Sequence, residues 1–409
     1  MGAVQFTVQI MPFERKSIPG GPSGASGGDD RRTAAGLRIR LHQRMEPLEE
    51  RWRRLEAENV LSLHQGYDWC HAWARSRGCR LLIAEGIADG QTQFLLPLEI
   101  AQRGPARIAR FLGTRFSNIN TGLYTPGLHA LAARMPLRRA FDEARDDFAR
   151  HFDLFLLEKV PLDWRGETTP FSGLPAARNQ NTAFQLPLHP DFEQTLAQIS
   201  ARHRRKKFRV SERRLMALGG YDHVIAGTAR ENRLFLEAFF QQKAVRFDTM
   251  GLPDVFRDAA TRDFFRTLAD LPQKADAYPL RLHAIRLKGR HEGRIAAIAG
   301  LSRKGDHVIC QFGSIDEGPA APASPGELLF HLIIQRLCGE DVRLFDFGIG
   351  DQPYKRSWCS VETTQHDLLW PVTPTGSAVA MLHRSKAAAK RLIKRSPPLY
   401  SFLQRLRSG

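Results

Sequence analysis

Cysteine is scarce in this chain. Its five cysteines (Cys70, Cys79, Cys310, Cys338, Cys359) are scattered over 409 positions, none in C-x-x-C spacing. That excludes a disulfide framework or a cysteine-built zinc site as the organising device, so no metal is expected. Long apolar runs are missing too, and nothing approaches the roughly 20 residues of a bilayer-spanning helix. Met1–Ile10 alternates polar and apolar residues without a signal-peptide core, which makes the cytoplasm the expected compartment. No basic motif interleaved with aromatics is present, so nucleic acid is an unlikely partner class. Acid is absent locally: residues 381–409 hold eight Lys/Arg and no Asp or Glu, and residues 201–214 hold eight against one. These two segments carry nearly all of the net charge of +17, and the rest of the chain is close to balanced.

What is present is an ordinary globular composition, 42% hydrophobic and 25% charged, in a chain long enough for two or three domains. Residues 14–36, rich in Gly and Pro, read as a flexible lead-in. Periodicity then predicts a strand at 37–42, helices at 46–58 and 67–77, strands at 80–87, 92–100 and 107–112, a long helix at 131–150 and a strand at 152–158. A second series follows: a strand at 182–188, helices at 191–218, 231–245 and 255–271, and a meander at 280–288, 294–303 and 306–315. It continues with a helix at 325–338 and strands at 342–347 and 363–370. The two series share an element order without a residue-level repeat. The expected fold is therefore α/β (α+β), with two mixed, mostly antiparallel sheets flanked by helices. The expected segments are a flexible 1–36, domains at 37–180 and 181–370, and a basic tail at 371–409. In each half the order resembles that of an acetyltransferase-type (GNAT) core.

The densest signal runs from Ser324 to Lys355. Ser324, Pro325 and Glu327 spell a capping box ahead of Leu328, Leu329, Leu332, Ile333 and Leu337, and Gly339 stops that helix. The strand 342–347 follows, then Gly348-Ile349-Gly350-Asp351-Gln352-Pro353-Tyr354-Lys355. Asp346, Asp351, Tyr354 and Lys355 thus gather near one strand end, where α/β proteins hold ligands. An ordinary helix–strand pair closed by a glycine turn explains the same spacing.

The segment from Leu344 to Trp358 resembles the fDFg.GdepYKrrW signature of the CelD/BcsL-type acetyltransferases associated with cellulose and exopolysaccharide biosynthesis. Ser324-Pro325-Gly326 resembles their spG..Ll helix start, and Phe239–Lys243 with Arg246 resembles their helix ahead of the meander. Gly66–Trp69 with Trp73 and Leu96-Pro97-Leu98 resemble their N-terminal stretches. The resemblance covers most of residues 60–370 and implies a GNAT fold with acetyl-CoA as co-substrate. It departs at one place: no Q/R-x-x-G-x-G/A loop precedes Leu328. The FemAB-like transferases also pair two such domains but use aminoacyl-tRNA, which leaves the acyl donor open.

On that basis the strand 307–314, with Gln311 and Gly313, is expected to polarise the thioester carbonyl through its backbone. The helix start at Ser324, Gly326 and Glu327 is expected to meet the pyrophosphate, with the Glu327 carboxylate as the objection. Asp346, Asp351 and Tyr354 are the candidates for proton transfer, and Lys355 for orienting an anionic group. Lys243 and Arg246, with Arg205 and Lys206 in the cationic turn His203–Lys207, are the acceptor-binding candidates. A solvated helix face explains that turn equally. In the tail, Leu399, Phe402, Leu403 and Leu406 among basic residues suggest an interfacial helix on an anionic membrane. The leading expectation is acetyl transfer to an amine or hydroxyl of a polysaccharide precursor such as a nucleotide-sugar. The rivals are aminoacyl transfer from charged tRNA and a non-catalytic partner of a polysaccharide synthase.

Overall fold

The computed structural model describes residues 36–395, and side chains through residue 390. The glycine-rich lead-in, except Gly36, and the residues from Leu399 to Leu406 proposed for membrane contact lie outside the described residues. Among the described residues no helix is long and apolar enough to cross a membrane.

The first half runs β1 (Arg38–His42), α1 (Glu49–Glu56), α2 (Tyr67–Arg77), β2 (Leu81–Ala88), β3 (Gln91–Arg103), β4 (Ala106–Phe111), three short helices α3 (Gly127–Arg134), α4 (Leu137–Glu143) and α5 (Arg145–His151), and β5 (Leu154–Val160). The helix expected to run unbroken over 131–150 is interrupted because Pro136 cannot continue a helix. The second half runs β6 (Ala183–Pro187), a short helix Phe192–Ala197, α6 (Ala201–Ala217), β7 (Tyr221–Ile225), α7 (Ala229–Thr249), α8 (Ala259–Asp270), the meander β8 (Ala277–Leu287), β9 (Ile295–Lys304) and β10 (His307–Ile315), then α9 (Pro325–Cys338), β11 (Leu344–Ile349) and α10 (Pro353–Trp358). The chain closes with β12 (His366–Pro371) and α11 (Pro374–Arg395).

The first sheet has the order β1-β2-β3-β4-β5-β12, and the second β7-β8-β9-β10-β11-β6. In each the meander is antiparallel, while β4–β5 and β10–β11 are parallel. The strand opening the second half of the repeat is thus β7, not the anticipated 182–188, which lies toward the far side of the sheet between β11 and residues 361–363. The last strand, expected to close a domain over 181–370, returns instead to the first sheet beside β5. Helix α11 packs Val379 and Ala380 over Ile108, Leu154 and Leu369 of that same sheet, so residues 374–390 are part of the fold and not a free tail. Residues 176–178 pair with 366–368, and 183–185 with 361–363, so two antiparallel stretches pass each other between the sheets.

One apolar cluster joins the halves. Trp69 and Trp73 of α2 meet Phe264 of α8 edge-on at 5.0 and 5.2 Å. In the centre of the second sheet, β9 is rich in small residues (IAAIAGLSRK), which lets helices approach from both faces. On one face Phe239 of α7 stacks on Phe312 at 4.0 Å. On the other, Leu328, Leu329, Ile333 and Leu337 of α9 are buried against Val308 and Phe345.

Candidate active site

The parallel pairing of β10 with β11 covers only His307–Ile309 against Leu344–Asp346. Beyond it the strands part. Within the same stretch the β9–β10 register shifts: Gly300 faces Phe312 and Leu301 faces Cys310, which leaves Gln311 as the extra residue of a bulge. Bulges re-aim side chains and free backbone groups, and are frequent beside active sites. Parting and bulge together open a cleft of about 550 Å³. It is walled by residues 310–315 of β10, by Gln242, Lys243 and Arg246 of α7, by Ser324, Gly326 and Glu327 at the head of α9, and by Tyr354 and Lys355 of α10.

The structure therefore brings together Gln311, Gly313, Ser324, Gly326, Glu327, Lys243, Arg246, Tyr354 and Lys355. It leaves out four other sequence candidates. Asp346 is fully buried outside the cleft, where it accepts from Gly348 N at 2.6 Å and from Gln185 Nε2 at 2.8 Å. Burial would raise its pKa, but the His307 ring 3.7 Å away and these two donors outweigh it and hold the carboxyl below its usual range. Asp351 is exposed and grips Arg356 through two contacts of 2.6 Å. Arg205 is exposed and pairs with Glu193. Lys206 points outward from α6. Neither aspartate lines the cleft.

The capping box is not formed. Ser324 sits at φ +56° without a side-chain cap, and the carboxylate of Glu327 is drawn elsewhere. Glu327 accepts from Arg204 Nη1 at 2.6 Å, Lys207 Nζ at 3.1 Å and Trp358 Nε1 at 3.1 Å. Arg204 is buried over the Trp358 ring at 4.5 Å. The cationic turn thus splits: Arg204 and Lys207 point inward, while Arg202, Arg205, Lys206, Arg209 and Arg213 face solvent. Two cations against one carboxylate remove the objection that Glu327 would repel an anion at this helix mouth. Gly326 keeps the mouth open, since a Cβ there would lie 2.9 Å from the Ile315 side chain.

Lys355 is buried and donates to the carbonyl of Ile349 at 2.7 Å. Burial lowers its pKa, as it does that of Lys243. Burial also raises Tyr354, keeping it a phenol at neutral pH, and pushes the Cys310 thiol up to about 12. Among the described residues Glu327 is the one carboxylate lining the cleft. No group of three or more His, Cys, Asp or Glu among them is placed to hold a metal.

Sequence reasoning missed the first half's share. Asn118 lines the cleft, and its amide lies so close to Gly348 that a Cβ there would sit 2.5 Å from Oδ1. The left-handed φ of Gly348, +74°, was the one local hint. The matching gap in the first half is built differently and holds a smaller cavity of about 430 Å³, lined among others by Trp73, Arg77, Arg110, Glu158 and Lys159. Its β3–β4 pairing has no register shift, and Lys159 Nζ donates to Thr114 O at 2.5 Å and Ser117 O at 2.8 Å.

Residues 202–356 match the family model described as an acetyltransferase (GNAT) domain. Among solved structures the chain is similar to FemX, at 12% identity over 82% of this chain and 98% of that one, with a TM-score of 0.57. It is also similar to L-PGS from Bacillus licheniformis, at 11% identity over 82% and 96% with a TM-score of 0.48. A tandem GNAT protein from the clavulanic acid biosynthesis pathway matches at 12% over 82% and 99%, with a TM-score of 0.45. No curated protein sequence matches. With its two halves of one topology, the chain is a tandem GNAT-like protein whose second half carries the acetyltransferase domain, and it is an acyltransferase.

Proposed function

We propose that the protein transfers an acetyl group from acetyl-CoA to an amine or hydroxyl at the second-half cleft. The observation that carries this reading is the parting of β10 from β11 at the Gln311 bulge, directly beneath the head of α9. Backbone groups of residues 310–314, released from β11, are available to a thioester carbonyl, where each fixed donor typically contributes a few kcal/mol. Bound acetyl-CoA would supply the activated acyl group. Ser324 and Gly326 at the helix mouth would hold its pyrophosphate, with Arg204 and Lys207 offsetting Glu327. Tyr354, kept protonated by burial, is suited to deliver a proton to the leaving thiolate. Lys243 and Lys355 favour an acceptor that carries an anionic group. The CelD/BcsL-type motif supports a polysaccharide precursor or related small molecule as that acceptor.

A second reading, aminoacyl transfer from charged tRNA, is favoured by the outward stripe Arg202, Arg205, Lys206, Arg209 and Arg213 on α6. Thermal unfolding separates the two. Coenzyme A at a hundredfold excess over its Kd should stabilise the protein by about 2.7 kcal/mol. Gly326→Asp, which adds bulk and negative charge at the mouth, should abolish that gain. An unchanged coenzyme A response in Gly326→Asp removes α9 from the donor site, and stabilisation by charged tRNA alone favours the second reading.

A further inference from the structure

Gln311 has no partner on β9, and its side chain is held by a chain of hydrogen bonds that fixes its orientation. Ser302 Oγ donates to the carbonyl of Pro279 at 2.5 Å, so toward Gln311 it can only accept. The Gln311 atom 3.0 Å from Ser302 Oγ is therefore the amide nitrogen. The second constraint comes from the first half of the chain. His64 is fully buried, and its Nδ1 lies 3.0 Å from the carbonyl of Ile119, which can only accept, and 3.1 Å from Ser62 Oγ, whose own hydrogen goes to that same carbonyl at 2.7 Å. Nδ1 thus carries the hydrogen. Burial pushes this ring down to about 4, so it is neutral at physiological pH and Nε2 is a lone pair. That lone pair takes the second N–H of Gln311, at 3.1 Å.

Both amide hydrogens are then spent, and Oε1 is the atom Gln311 has left. Its distance of 3.2 Å to His64 Nε2 brings two acceptors together and forms no bond, and Asn118 Nδ2 donates to it at 3.5 Å, a long contact that leaves the second lone pair over. Two other side-chain acceptors of the cleft wall are engaged. Glu327 serves Arg204, Lys207 and Trp358, and Gln242 Oε1 takes Ser314 Oγ at 2.6 Å. A fixed oxygen with a lone pair to spare, on a residue that lines a cleft with two lysines, suits a ligand that donates.

We infer that Gln311 Oε1 receives the hydrogen bond of the acceptor's nucleophilic N–H or O–H, and that His64 is the positioning residue that keeps this oxygen turned to the cleft. The inference rests on the acyl-transfer reading and names the substrate's reacting end: a neutral amine or a hydroxyl, oriented without a carboxylate base. In the reaction the acceptor atom bonds to the acyl carbon and the C–S bond breaks; Tyr354 gives its proton to the departing thiolate and regains one from the acceptor, so the net transfer is one proton from acceptor to thiol. Gln311 takes no proton. It aims the acceptor's lone pair, an effect of the size of a well-placed orienting contact.

The test uses the full chain with acetyl-CoA and hydroxylamine, a small nucleophile, following acetohydroxamate formation above the uncatalysed rate. Gln311→Leu should lower kcat/KM for hydroxylamine about tenfold or more. It should leave the KM for acetyl-CoA and the coenzyme A thermal shift unchanged. His64→Phe should give a smaller loss of the same kind, restored by His64→Gln, which keeps an acceptor. Independently of folding in these variants, ¹⁵N NMR of the wild-type histidines should find His64 neutral with hydrogen on Nδ1. A wild-type rate in Gln311→Leu overturns the inference while the donor reading stands, as does His64 carrying hydrogen on Nε2. Coenzyme A binding without any wild-type acceleration of hydroxylamine acetylation overturns it as well. Absence of coenzyme A binding removes the donor reading instead.

Discussion

Replacing Gly348 by alanine tests how the two halves build one cleft. Gly348 follows the buried Asp346–Phe347 stretch at φ +74°, and a side chain in that region costs about 1–2 kcal/mol. The added Cβ would also lie 2.5 Å from Asn118 Oδ1 and 2.6 Å from its Cγ. Asn118 has a short side chain, and its backbone carbonyl is pinned by Gln365 Nε2 at 2.7 Å, so relief must come from moving the loop that carries Asn118 against β11. Overpacking of this kind typically adds about 1–3 kcal/mol. The expected total is about 2–5 kcal/mol. Gly78→Ala is the control: its φ is +56° and nothing lies within 4 Å of the added Cβ, so only the conformational cost of about 1–2 kcal/mol applies. In an Asn118→Ala background the Gly348→Ala penalty should fall to the control level. The implied coupling of about 1–3 kcal/mol exceeds the roughly 0.3–0.5 kcal/mol by which independent sites depart from additivity. Equilibrium denaturation of the four variants measures it. If Gly348→Ala costs no more than Gly78→Ala, or keeps its full penalty without the Asn118 amide, the contact does not hold the halves in register.

Two further expectations concern charge. Asp346→Asn should cost stability by about 1–3 kcal/mol or more, because an amide nitrogen must then face a buried donor. Asp351→Asn, in an exposed pair with Arg356, should change stability by less than about 1 kcal/mol. Denaturation midpoints in the reverse order would contradict the placement of both residues. Acid should act through His64. Its folded pKa, about 4, lies below the unfolded value near 6.5, so its contribution is present above pH 6.5 and lost as pH falls toward 4. At about 1.4 kcal/mol per unit that loss reaches about 3 kcal/mol. Comparing wild type with His64→Gln at pH 7 and pH 4.5 checks this, and an equal acid loss in both would exclude it.

Much of the fold was legible because its signals are local. The helix 325–338 and the meander 280–315 follow from apolar spacing and turns within a few residues. What escaped depends on distant partners. The strand Tyr221–Ile225 is short and polar, and becomes a strand only by pairing with β8. The capping box failed because Arg204, over 120 residues earlier, claims the Glu327 carboxylate. Asp346 was read as a proton-transfer candidate near a strand end, but residues 183–187 pair beside it and cover it. Tyr354, Lys355 and Gly326 were named through the motif and Gln311 through its strand, whereas His64 lies 247 residues from the side chain it holds.

The return of β12 to the first sheet has a consequence for synthesis. β5, Leu154–Val160, is apolar over most of its length, and its outer edge is covered only by residues 366–371. More than 200 residues must be translated between these strands, which at about 5–20 residues per second takes some ten to forty seconds. Through that interval the nascent first half carries an open strand edge that invites wrong pairing. The ribosome therefore cannot release a finished N-terminal domain. The chain matures as a whole, and a message truncated just short of its last strand leaves both the beginning and the end of the protein incomplete.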